Sequence, residues 1–140
     1  MEKKEFCVVY LAGKLRGNFI TKWLYIRKAK RMAEFLWING VVVVSPHANS
    51  GWVDTPETDK FVLPANIHLM KMCDAVVLLD NWKTSVGTRE EIKEALKSKM
   101  PIFTSGMNLV LAMQKTKDIN QILEERKQCF YQGQLSDLFK

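Results

Sequence analysis

Three short apolar runs constrain this chain more than any other feature: CVVYL at 7–11, VVVV at 41–44 and AVVLL at 75–79. None alternates with polar residues, so each reads as a strand covered on both faces. Helical patterns separate them. Strands that alternate with helices imply parallel pairing through right-handed crossovers. The expected fold class is therefore α/β: a three-layer sandwich with a small parallel sheet, of the flavodoxin or Rossmann kind. The strand order expected is 2-1-3-4-5, within a single domain over 1–140.

The punctuation along the chain supports that layout. Strand one, Phe6 to Leu11, closes at Ala12-Gly13. An amphipathic helix is expected from Ile20 to Ile38, with Ile20, Trp23, Leu24, Ala29, Met32, Ala33 and Leu36 on its apolar side. Asn39-Gly40 suits its C-terminal end. Val41 to Val44 is a second, fully buried strand, and Ser45 to Pro56 a loop rich in turn formers. The next helix is expected over Glu57 to Met72, kinked at Pro64 or starting near it. A strand at Ala75–Leu79, a helix at Thr88–Ser98 and a strand at Pro101–Thr104 follow. The C-terminal part reads as a helix over Ile119–Lys127, a short strand near Cys129–Tyr131 and a turn from Ser136.

Composition excludes little. The 140 residues are 47% hydrophobic and 26% charged, ordinary for a globular domain. No apolar stretch approaches the roughly 18 residues that span a bilayer. The start, MEKKEF, lacks the apolar core of a signal peptide. Cys7, Cys73 and Cys129 are widely spaced and odd in number, which reads as free buried thiols in a cytoplasmic protein without a metal site. The net charge of +6 includes a run from Lys14 to Arg31 that contains no acidic residue. Arg27 to Arg31 read as a solvated helix face. Nucleic-acid binding lacks any accompanying recognition motif.

The chemistry concentrates in the loops after strands one, two and three, which such a sheet gathers at its carboxyl edge. The first loop, GKLRG at 13–17, places Lys14 and Arg16 between Gly13 and Gly17, as an anion-binding turn or a solvated one. It is neither a Walker loop nor a dinucleotide fingerprint. The segment DAVVLLDNWKTSVGTREEIKEA at 74–95 runs from a strand through Asp80 into a helix, with Glu91 expected in its first turn. Thr88-x-x-Glu91 fits a capping box, and it equally presents a carboxylate at the sheet edge. Trp52 and Trp82 lie in these loops and read either as stacking surfaces for a base or as covers of a core edge.

Taken together, YLAGKLRG, SPH at 45–47, CDAVVLLDNWKTSVGTREEIKEA and MPIF resemble the nucleoside 2-deoxyribosyltransferase superfamily over residues 6 to 104. They look most like its deoxynucleoside 5'-monophosphate N-glycosidases and related small domains often found in phages. The resemblance implies Glu91 as nucleophile within Gly87-x-x-x-Glu91, oriented by Tyr10. It implies a phosphate site from Lys14, Arg16, Gly17 and Ser85, and His47 near the nucleobase. Ser85 stands where the transferases usually carry an aspartate, which favours nucleotides over nucleosides. Asn66 departs from the pattern: the family keeps an aspartate there that assists the leaving base, and an amide is no acid or base near neutral pH. Another acid, such as Asp80, or a base that leaves readily would offset that loss. The expected activity is N-glycosidic cleavage of (deoxy)nucleoside 5'-monophosphates. Deoxyribosyl transfer and a catalytically weak nucleotide-sensing module are the alternatives. The resemblance further implies a homo-oligomer, a nucleotide as the small-molecule partner, and no metal or organic cofactor.

Overall fold

The computed structural model describes residues 3–133. Four strands form one all-parallel sheet in the order β2-β1-β3-β4: β1 Val8–Ala12, β2 Val42–Val44, β3 Ala75–Leu78 and β4 Ile102–Phe103. Among the described residues six α-helices accompany them: α1 Phe19–Ile38, α2 Pro46–Ser50, α3 Asp59–Lys71, α4 Val86–Lys97, α5 Gly106–Lys115 and α6 Ile119–Gly133, with a 3-10 turn at Trp82–Thr84.

Alternate strand residues feed two separate cores. Val9, Leu11, Ala75, Val77 and Phe103 pack with α1, α5 and α6. Tyr10, Ala12, Val76, Leu78 and Ile102 pack with Met70 of α3 and with Ile92 and Ala95 of α4. The period of two along a strand thus sends neighbouring residues into opposite layers, and the three-layer sandwich follows. Tyr10 lies on the α3/α4 side. That side also carries a cleft between α3 and α4.

Local signals explain the element ends. Asn18 accepts a hydrogen bond from the Thr21 N–H at 2.9 Å and caps α1. Gly40, at φ +85°, takes the left-handed turn that stops the helix and returns the chain into β2. Asp74, before β3, accepts from the Val8 N–H at 2.9 Å and pairs with Lys4, so its role is to tie β1 to β3.

Several expectations need correction. Residues 129–131 continue α6 and add no fifth strand, because the amphipathic pattern from Ile119 carries Cys129 within the helix. The expected turn from Ser136 lies outside the described residues. The stretch after β4 contains α5, opened by Ser105 as N-cap. Ser45–Pro56 is not wholly loop, since Pro46 starts the short α2. Helix α3 runs through Pro64. Strand β2, at the sheet edge, is only partly buried. The apolar side of α1 divides: Ala29 and Leu36 reach the core, whereas Ile20, Trp23 and Leu24 are exposed. All three cysteines are free, but Cys129 is exposed.

Candidate active site

A cleft of about 340 Å³ opens at the carboxyl ends of β1 and β3, between α3 and α4. Its deepest ionisable group is Glu91. The helix carrying it begins at Val86, with Ser85 as N-cap. This corrects the expected capping box: Glu91 sits in the second turn, too deep to reach back to a helix-start N–H. Its carboxylate instead accepts a hydrogen bond from the Tyr10 hydroxyl, across the layer between β1 and α4. Tyr10 is fully buried and Glu91 is only 7% exposed. Glu90, one residue earlier, pairs with Lys93 at the surface.

Burial decides the ionisation of this pair. Desolvation pushes the Glu91 carboxyl up to about 7, while the Tyr10 hydrogen bond works in the opposite direction and the charge of Asp54 adds to the rise. The Tyr10 phenol is raised as well, by burial first and by the Glu91 charge second. Tyr10 therefore remains a donor, and the carboxyl is poised between its two forms near neutrality. A helix-dipole argument alone would have placed the carboxyl below its ordinary value. Burial outweighs it.

Ser85 has a second role beside capping. Its Oγ accepts from the Thr88 N–H at 3.2 Å and from the Thr88 hydroxyl at 2.9 Å. A serine hydroxyl has two acceptor positions and one donor. With both acceptors occupied, its proton is left to donate, and Ser85 lines the cleft. Gly87 lines it too, and a Cβ there would meet only Leu63 Cδ1 at 4.0 Å. Packing does not demand glycine at 87; its absent side chain keeps the wall open.

The β1 loop is held from both sides. Lys14 N–H donates to Asn81 Oδ1 at 2.9 Å, and Lys14 C=O accepts from His47 Nε2 at 3.0 Å. The Lys14 ammonium reaches Thr84 Oγ1 at 3.2 Å. Gly13 is required where the loop crosses β3, since a Cβ would lie 2.4 Å from Leu79 Cδ1. Gly17 precedes the α1 cap and lies outside the cleft lining.

Arg16 lines the cleft as expected, yet its guanidinium is already engaged. It pairs with Asp54 at 2.9 Å and also with Asp59. An incoming phosphate would compete with two carboxylates for it, whereas no carboxylate pairs with Lys14 among the described residues.

The structure brings Tyr10, Gly13, Lys14, Arg16, Asn66, Ser85, Gly87 and Glu91 to the cleft or to its buried carboxylate. Asn66, on α3, is buried there. Four expected residues stand elsewhere, Gly17 among them. Asp80 is exposed, paired with Lys28 and absent from the cleft lining, so it does not replace the missing aspartate. Trp82 is a core residue under α4. His47 is buried behind Lys14, where burial lowers its pKa and favours the neutral ring. Trp52 stacks on Phe19 with ring centroids 5.4 Å apart, at the loop's outer side. Asp54, Asp59, Asn81 and Thr84 were not singled out from the sequence, because their partners lie far along the chain. Among the described residues no group of three or more His, Cys, Asp or Glu could hold a metal ion, and no helix is long and apolar enough to cross a membrane.

The cleft and its tyrosine-bonded carboxyl lie at the carboxyl edge of an open parallel sheet, the place where doubly wound α/β domains in general bind small molecules. The chain belongs to the family described as Domain of unknown function (DUF4406), whose model matches residues 7–104 and so spans the whole cleft. No curated protein and no solved structure matches the chain significantly.

Proposed function

We propose that this chain is an N-glycosidase that cleaves the base–sugar bond of (deoxy)nucleoside 5'-monophosphates, with Glu91 as nucleophile. The observation that carries the reading is the buried Glu91 carboxylate, held by Tyr10 at the inner end of a nucleotide-sized cleft. The similarity of its motifs to the nucleoside 2-deoxyribosyltransferase superfamily supports the reaction class. Glu91 attacks C1' as the bond to the base nitrogen breaks, and that bond's electron pair leaves with the base. Water then hydrolyses the glycosyl ester and restores the carboxylate. Tyr10 keeps the attacking oxygen aimed and favours its ionised form. Lys14 and the Ser85 hydroxyl supply positive charge and a donor for the phosphate. Transfer of the sugar to a second base is the close variant, with a base taking the place of water.

Asn66 favours a second reading, a nucleotide-binding module with weak or no turnover. It lines the cleft and carries no titratable proton near neutral pH. Incubation with a panel of ribo- and deoxynucleoside monophosphates, followed by chromatography for free base, separates the two. Release of base from at least one monophosphate is expected, and Asn66→Asp should raise the rate up to roughly a hundred-fold. Tight binding without release in both forms would establish the module instead. The homo-oligomer remains a proposal; sedimentation at micromolar concentration tests it.

A further inference from the structure

A second hollow, of about 710 Å³, lies at the same edge of the sheet, where α1 passes the ends of β3 and β4. It shares no lining residue with the cleft. Leu24, Met32 and Phe35 of α1, with Leu78 and Leu79, give it an apolar lining. Arg27, Lys28 and Arg31 stand around it, and Asp80 is its one acidic residue.

The charges there are unequally matched. Asp80 is taken by Lys28. Among the described residues no ion pair engages Arg27 or Arg31, and Arg27 lies over the Trp23 ring at 5.4 Å. Ordinary solvated arginines need no apolar hollow between them. Here two guanidinium groups without carboxylates border one large enough for a small ligand. Their planar donors suit a carboxylate, sulfonate or phosphate, while the aliphatic walls suit a ring or short chain. A nucleic-acid backbone would satisfy the cations and leave the apolar lining without use.

We propose that this hollow is a second ligand site, separate from the cleft, for a small amphipathic organic anion with an apolar body. The thioether of Met32 and the ring of Phe35 would contact that body, and Arg27 and Arg31 its charged end.

The probe that tests this is 1-anilinonaphthalene-8-sulfonate, an aromatic sulfonate, titrated into the native full chain by fluorescence and calorimetry. One equivalent should bind. Arg27→Ala and Arg31→Ala should each weaken it about ten-fold, and 0.5 M salt should weaken it further. The uncharged N-phenyl-1-naphthylamine should bind at least ten-fold less tightly. Both arginines are exposed on α1, so circular dichroism and melting should show the variants folded. Unchanged affinity in the double variant, or equal binding of the neutral probe, would overturn the proposal. So would a dimer that takes up the probe only on dilution to monomer, since that would assign the hollow to a second copy of the chain.

Discussion

The two ends of the cleft treat charge in opposite ways. At the buried end a single carboxyl, Glu91, is almost wholly removed from water and has one hydrogen-bond donor, Tyr10. At the rim Arg16 is 42% exposed and shares two carboxylates, Asp54 and Asp59. The rim pairs are satisfied and solvated, so each contributes little to stability. The buried carboxyl is under-compensated, and its ionisation costs free energy that the fold supplies. An expensive buried charge facing a cleft points to chemistry; an inexpensive cluster at the rim points to shape.

The largest effect should come from removing the buried charge. Glu91→Gln should lower base release by on the order of a thousand-fold or more, with Glu90→Gln close to native. Chromatographic rate measurements on folded variants check this. Equal losses in both would remove the distinction between the buried and the surface carboxylate.

Titration sharpens the same contrast. The folded carboxyl keeps its proton up to about 7, whereas the unfolded one releases it near 4.5. Folding stability contributed by this group is therefore present at low pH and lost as pH rises from 4.5 to 7, by about 3 kcal/mol in total. Urea melts from pH 4 to 8 should show that loss in the native chain and a flatter profile in Glu91→Gln. Base release, on the proposed mechanism, should run the other way, rising through pH 7 as the Glu91 carboxyl ionises. Because the Tyr10 hydrogen bond lowers the Glu91 pKa, Tyr10→Phe should move that limb to higher pH. An unmoved limb would mean that the two side chains are not coupled in solution.

A smaller effect is expected at the rim. Lys14→Ala should weaken monophosphate binding roughly ten- to hundred-fold, the loss of one charge-assisted contact. Asp54→Asn should strengthen it a few-fold, by removing a negative charge and loosening the hold on Arg16. Calorimetry with a poorly cleaved monophosphate reads both. If Arg16→Ala proves much worse than Lys14→Ala, the guanidinium leaves its carboxylates for the phosphate, and the rim is a moving part.

What the sequence disclosed follows the range of the interactions involved. The runs at 7–11 and 75–79 announced their strands because coverage on both faces leaves an unbroken apolar signature. Glu91 and Tyr10 were found through the resemblance of their motifs, although they are far apart along the chain. The start of α4 was misplaced because Ser85 and Thr88 both suit an N-cap, and only the hydrogen bonds decide between them. Helix α5 is absent from the sequence reading although its inward residues Gly106, Leu109, Val110 and Met113 keep a helical spacing; at ten residues it presents that face only about twice. Residues 129–131 looked β-prone, but the helix already in progress overrode that preference. The partners of Arg16 lie 38 and 43 residues away, on the loop before α3 and at the first residue of α3, and no local pattern brings them to it.

On the proposed mechanism Glu91 bonds covalently to the sugar during turnover. Incubation with a 2'-fluorinated nucleoside monophosphate, which slows hydrolysis of such an ester, followed by acid quench and peptide mass mapping, tests it directly. One sugar phosphate per active chain is expected on Glu91, and none in Glu91→Gln. A label on another residue, or base release at native rate from Glu91→Gln, would contradict it.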